Sequence, residues 1–212
     1  MSSTILALSI ITEASTILGD SSNTRWSQSE LLGYLNDAQL EAVTLAPKVN
    51  PVRVTVQLLP GITQELPNDG ILLLDIFWNM GANGLTIGQP ITVTNIDVMR
   101  KRRPNWTTDT ASGIVQTYMY DEKDPVHYSV WPPQPNPAWY IDINYSAVPV
   151  AIPNYGPSTT ITIDDYWKNA LLSFVLSRAF SKDAAVPAMA ERRDANYKQF
   201  LQDLEIAAEV RT

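Results

Sequence analysis

The apolar residues of this chain change their repeat twice, and that change restricts its fold more than any single motif. Leu6, Ile10, Ala14 and Ile17 recur at spacings of four, four and three, one face of a helix that Gly19 is placed to end. Ser27 and Glu30 form a capping-box pattern ahead of a second stripe, Leu31, Leu35, Ala38, Ala42 and Leu45, which runs to Pro47. From Val52 the repeat drops to two: Val52, Val54, Val56 and Leu58 alternate with Arg53, Thr55 and Gln57, as a strand with one wet face requires. Near Asp164 the helical repeat returns. Trp167, Leu171, Phe174 and Arg178 share a face there, and Leu172, Val175, Leu176 and Phe180 fill much of the rest. A helix so apolar all round is a buried one. A last helix opens at Pro187, a natural first-turn residue, and passes through Met189, Arg193, Tyr197, Phe200, Leu204 and Ala208.

Neither terminal helix pair buries its stripe alone, so the two are expected to complete one another. The reading is an α+β fold: a helical bundle from residues 1–50 and 161–212, with an inserted antiparallel β domain over 51–160, a small sandwich or barrel. Within the insert, strands are predicted over 71–78, 91–94, 115–120, 126–131 and 139–147. Pro60-Gly61 and the run from Pro67 to Gly70 supply turns. Asn95 is placed to cap a short helix carrying Asp97 and Met99 that Pro104 stops.

Composition narrows the function. Charged residues are only 17% of the chain, which suits a subunit whose surface is largely covered by neighbours. A net charge of -7 disfavours a general nucleic-acid binder, since neutralising phosphates takes an excess of Lys and Arg, although an acidic lining lets DNA slide without sticking. With no cysteine, disulfides, thiolate nucleophiles and Cys-ligated metals are ruled out. The first eighteen residues lack the basic start of a signal peptide, and no run reaches the length of a membrane span.

The sequence offers little chemistry. The single histidine, His127, sits in an alternating strand with no nucleophile pattern around it. Gly81, Gly84 and Gly88 lack the Lys-Ser/Thr pair of a phosphate loop and read as turn residues. Asp121, Glu122 and Asp124 lack the spacing of a calcium loop and read as a solvated hairpin turn. Asp164 and Asp165 precede a helix, where capping accounts for them. Glu65 with Asp69, or Asp142 with Asp124, are the carboxylate pairs a glycosidase would use, but nothing in the sequence sets their separation. No catalytic, metal or cofactor site is therefore expected. Two features carry a contact instead. Arg100, Lys101, Arg102 and Arg103 form a basic run at a helix end, suited to DNA phosphates, to an acidic partner or simply to the helix dipole. Trp131, Pro132 and Pro133 open a proline-rich stretch that reads as a rigid loop, docking on a neighbour or merely joining two strands.

Several stretches in order along the chain carry a family likeness. They are Trp26 to Leu32 with Leu35-Asn36-Asp37-Ala38-Gln39, Glu65-Leu66-Pro67 leading into Leu73-Leu74-Asp75-Ile76, Gly84 with Pro90-Ile91, and Arg103-Pro104-Asn105-Trp106. Asp124 to Pro133, Tyr166 to Phe180, and Asn196-Tyr197 with Phe200 complete the set. In these the chain resembles the head-to-tail adaptor, or connector, proteins of short-tailed bacteriophages (podoviruses), the tail tubular protein A-like family. The resemblance implies a non-enzymatic structural virion protein. Twelve copies would form a ring beneath the portal protein, prolonging the DNA channel used in packaging and ejection and docking the tail nozzle and tail fibre proteins. The virion's head-tail interface is then its location, after assembly in the host cytoplasm, with viral DNA passing without specific binding and no membrane involved. Apart from the resemblance, the C-terminal helix and tail, from about Met189, are expected to face the portal, since a terminal amphipathic helix can dock on a partner helix. The competing expectations are a virion-associated cell-wall or polysaccharide hydrolase, and a glycan-binding module suggested by six Trp and nine Tyr.

Overall fold

The computed structural model describes residues 3–121, 123–183 and 185–210, the last five by their backbone alone. In chain order the first elements are α1 (Ala7–Ile17), α2 (Gln28–Leu45), β1 (Pro51–Gln57), β2 (Gly61–Glu65), β3 (Gly70–Asn79) and β4 (Thr92–Val93). There follow α3 (Ile96–Arg102), β5 (Thr117–Tyr120), β6 (His127–Gln134), β7 (Tyr140–Ala147), α4 (Lys168–Ser181) and α5 (Pro187–Val210). The fold is α+β, and the chain divides into two units, one made of the residues up to Asn50 and from Val148 onward, the other of Pro51–Ala147.

In the helical unit α4 is the hub, packed against α1, α2 and α5. Its Leu171, Phe174 and Val175 are buried, which is what its all-round apolar sequence requires. Phe200 of α5 lies edge-on to Phe174 at 5.1 Å between ring centres, and α2 begins at a Ser27 cap whose hydroxyl accepts the Glu30 N–H at 3.2 Å. The stretch 148–160, grouped with the β insert on sequence, belongs to this unit. The Asn36 amide grips the backbone of Ile152 on both sides, donating to its carbonyl at 3.1 Å and accepting its N–H at 2.8 Å. Gln39 likewise accepts the Thr162 N–H at 2.7 Å. Such an irregular strap has no repeat to show which unit it will join.

Asp165 departs from its expected capping role. Its carboxylate reaches back to the start of the chain and accepts from the Ser3 and Thr4 hydroxyls and from the Thr4 and Ile5 N–H groups. These bonds hold its pKa far below the usual carboxylate range. Asp164, at the cap position of the turn before α4, makes no side-chain cap bond.

The second unit is a two-sheet sandwich. One sheet has the order β1-β7-β3 and the other β2-β6-β5-β4. All pairings are antiparallel except β4 with β5, which run parallel over two residues. One buried cluster draws on both sheets: Leu73 and Ile76 from β3 and Ile141, Ile143 and Tyr145 from β7 meet Tyr118 of β5 and Tyr128 and Val130 of β6. Buried Asn79 stitches the layers at one end, with its amide donating to the carbonyls of Gln89 and Val115 and accepting the Val115 N–H.

Two elements of this unit differ from the sequence expectation. β2 was legible only as a turn, because its inward-facing position is Gln64, 1% exposed and bonded through its amide to both backbone groups of Leu59. A polar residue on the core face erases the alternation on which strand prediction rests. Pro132 and Pro133 do not form a loop but end β6, a central strand, and both are buried. The ladder tolerates them because pairing with β2 jumps from Thr63↔Ser129 to Gly61↔Gln134, and pairing with β5 stops at Thr117↔Trp131. The missing N–H groups fall where the ladder to β2 shifts register and the ladder to β5 has ended.

Candidate interaction surface

Alternation along β5 and β6 sends side chains to both faces of the four-stranded sheet. Tyr118 and Val130 enter the sandwich core, while Met119 and Trp131 point outward and are covered by α3 and the turn after it. Met99 of α3, Trp106 and Met119 form a small buried cluster there, with Ile62, Ile96 and Trp131 packed against it. Asn95 caps the helix by accepting the Asp97 N–H at 2.8 Å. With Met99 turned inward, Arg100, Lys101 and Arg102 are left exposed.

The basic run then splits into residues with partners and residues without. Arg103 donates to Asp109 at 2.7 Å and lies over the Trp131 ring at 4.5 Å, while the Trp131 indole N–H donates to the same carboxylate oxygen at 2.8 Å. The indole bond first, and Arg103 second, hold the Asp109 carboxyl below the usual carboxylate range. Arg100 makes an exposed pair with Asp97 at 3.3 Å. Lys101 and Arg102 have no ion-pair partner among the described residues. Asp109 is the member of this group that sequence reasoning missed, and no spacing marks it: it lies six residues after Arg103 and twenty-two before Trp131.

Clefts flank α3 on either side. One, of about 270 Å³, is bordered by Thr63, Arg100, Asp121, Asp124 and His127. The other, of about 290 Å³, is bordered by Val98, Arg102, Arg103 and Trp131. In the first, His127 Nδ1 pairs with Asp124 at 2.8 Å, and Nε2 faces Glu65 at 3.6 Å. Both ring nitrogens thus meet carboxylates rather than a hydroxyl nucleophile, and the Asp124 bond above all raises the histidine pKa. Asp121 folds its own turn by accepting the Lys123 N–H at 3.0 Å, and Glu122 lies outside the described residues. Among the described residues no group of three His, Asp or Glu is arranged to hold a metal.

The remaining candidate carboxylates are spoken for structurally. Asp69 accepts from the Tyr145 hydroxyl at 3.0 Å. Asp142 accepts from Arg53 at 2.8 Å, whose guanidinium lies over the Phe77 ring at 4.3 Å. Gly81 and Gly84 have positive φ, as turn glycines do. No helix among the described residues is long and apolar enough to cross a membrane. What the surface offers chemically is charge and shape for contact.

Against known proteins, the family model described as SU10 adaptor protein matches residues 5–212. No curated protein matches the chain.

Proposed function

The chain belongs to the SU10 adaptor protein family and is a structural adaptor protein of a bacteriophage virion; from that premise we propose that it forms a ring between portal and tail. In this reading the ring is twelve-fold, prolongs the DNA channel and docks the tail nozzle and fibres. The observation that carries the reading is the family match over residues 5–212, which takes in both units and the irregular segments between them. The low share of charged residues, 17% of the chain, supports it, because a subunit gripped on several sides needs complementarity more than solubility. A head-to-tail contact that closes on itself needs no symmetry within the subunit.

The exposed face of α3 serves in this reading as a docking point. Four of the six basic residues in 51–147 stand together at 100–103, and the two with no ion-pair partner among the described residues, Lys101 and Arg102, are available to an acidic partner surface or passing DNA phosphates. Trp131 with Pro132 and Pro133 acts from beneath: the prolines end the strand that carries Trp131, and Trp131 holds Arg103 and Asp109 in place. The test is the mass of the purified protein by light scattering, alone and mixed with the portal of the same virus. A ring-sized particle, alone or only with portal, supports the adaptor ring. A monomer indifferent to portal overturns it.

A further inference from the structure

No charged residue stands between Asp75 and Asp97, and the loop inside that stretch presents Leu85 and Ile87 to solvent at 83% and 69% exposure. The loop is nonetheless firmly built. Asn83 accepts the Leu85 N–H at 3.0 Å, the Thr86 N–H donates to the Met80 carbonyl at 3.3 Å, and the Gly88 N–H donates to the Asn79 carbonyl at 2.7 Å. Gly84 lies flat on the Tyr140 ring, where an added Cβ would approach to 3.0 Å. Two large aliphatic side chains held outward on an ordered loop form a preorganised knob, whose ordering cost is met before any partner arrives.

The same unit carries a cleft that matches it in chemistry. Where the edge strands β3 and β4 diverge, a depression of about 550 Å³ opens between the sheets, bordered by Leu72, Leu73, Leu74, Val93, Tyr118 and Tyr120. Tyr118 closes its floor by donating to Asp75 at 3.1 Å. The bonds of the loop keep Leu85 and Ile87 in solvent, so a chain does not fill its own cleft with its own knob. Each copy carries a net charge of -7, and copies approach at least electrostatic cost where both faces are uncharged. Resting on the ring reading above, we infer that the knob of Leu85 and Ile87 on one copy seats in the β3–β4 cleft of the next copy. The two surfaces are different patches of one subunit, so the contact is heterologous and propagates around a ring.

The absence of native cysteine makes the test direct. Full-length chains bearing Leu85→Cys and Leu74→Cys, one each, are mixed under assembly conditions, with portal if portal is needed, and treated with a short bismaleimide. A covalent dimer from the mixture and from neither chain alone is the expected result. A second variant, Leu85→Asp with Ile87→Asp, alters only exposed side chains. It should keep the wild-type circular dichroism while losing the ring-sized mass. A ring that forms without the cross-link, or survives the double substitution, overturns the knob-and-cleft contact and leaves the adaptor reading standing. A wild-type chain that forms no ring under any of these conditions overturns both.

Discussion

Gly113 lies against the Trp139 ring so closely that an added Cβ would fall 2.2 Å from it, a contact that forces backbone or indole to shift. Gly113→Ala is expected to cost about 1–3 kcal/mol, the usual range for overpacking, read as a lower urea midpoint. His127 makes a pH-dependent contribution. Its folded pKa is raised by Asp124 and then Glu65, so its stabilisation is full below the unfolded value of roughly 6.5 and is lost as pH rises through the folded value. The gap in urea midpoint between wild type and His127→Gln should therefore be widest at mildly acid pH and close as pH turns alkaline; a gap that widens with pH would contradict the Asp124 pairing. At this scale the sequence was legible for type but not for partner. The four basic residues at 100–103 read correctly as a helix end, whereas the engagement of Arg103 by Asp109 and Trp131 depends on residues that only folding brings together.

Helices proved the most legible elements because their caps and stripes are local. Ser27, Asn95 and Pro187 each stand at a helix start. α5 is anchored on α4 through Phe200, which is fully buried against Phe174. Phe200→Ala should cost about 3–5 kcal/mol and show as a marked loss of thermal stability, whereas removing 205–212 should leave the fold intact and, with the portal-facing role of α5, weaken portal binding in a pull-down. The end of that helix, including Ala208 of the sequence stripe, has no described side chains. On α3, Lys101→Glu with Arg102→Glu should leave circular dichroism unchanged and weaken binding to the portal or tail partner, the wild-type binding falling as salt rises. Unchanged binding would remove α3 from the docking surface. Strands were less legible wherever a core position is polar or a pairing is bulged, as Gln64 and the Pro132-Pro133 step show.

At the scale of the molecule, β1 and β7 pair with Pro51 opposite Ser146, so the chain leaves and re-enters the helical unit at neighbouring points. Replacing 51–147 by a short Gly-Ser linker is expected to leave a helical unit that melts cooperatively with a helical circular dichroism spectrum. It should also abolish ring formation if the knob and cleft carry the contact. An unfolded product would show that the helical unit depends on the insert. The sequence by itself determined the helix, strand, helix order, the α+β class and the family likeness, because repeat, capping and turn chemistry act over a few residues. Only the tertiary structure decided that the strap 148–160 joins the helices, that β6 runs through two prolines, which cations lack an ion-pair partner among the described residues, and that an uncharged, hydrogen-bonded loop presents Leu85 and Ile87 to solvent. Those outcomes depend on hydrogen bonds and packing between residues far apart in the chain, and no local pattern encodes which distant partner a side chain will meet.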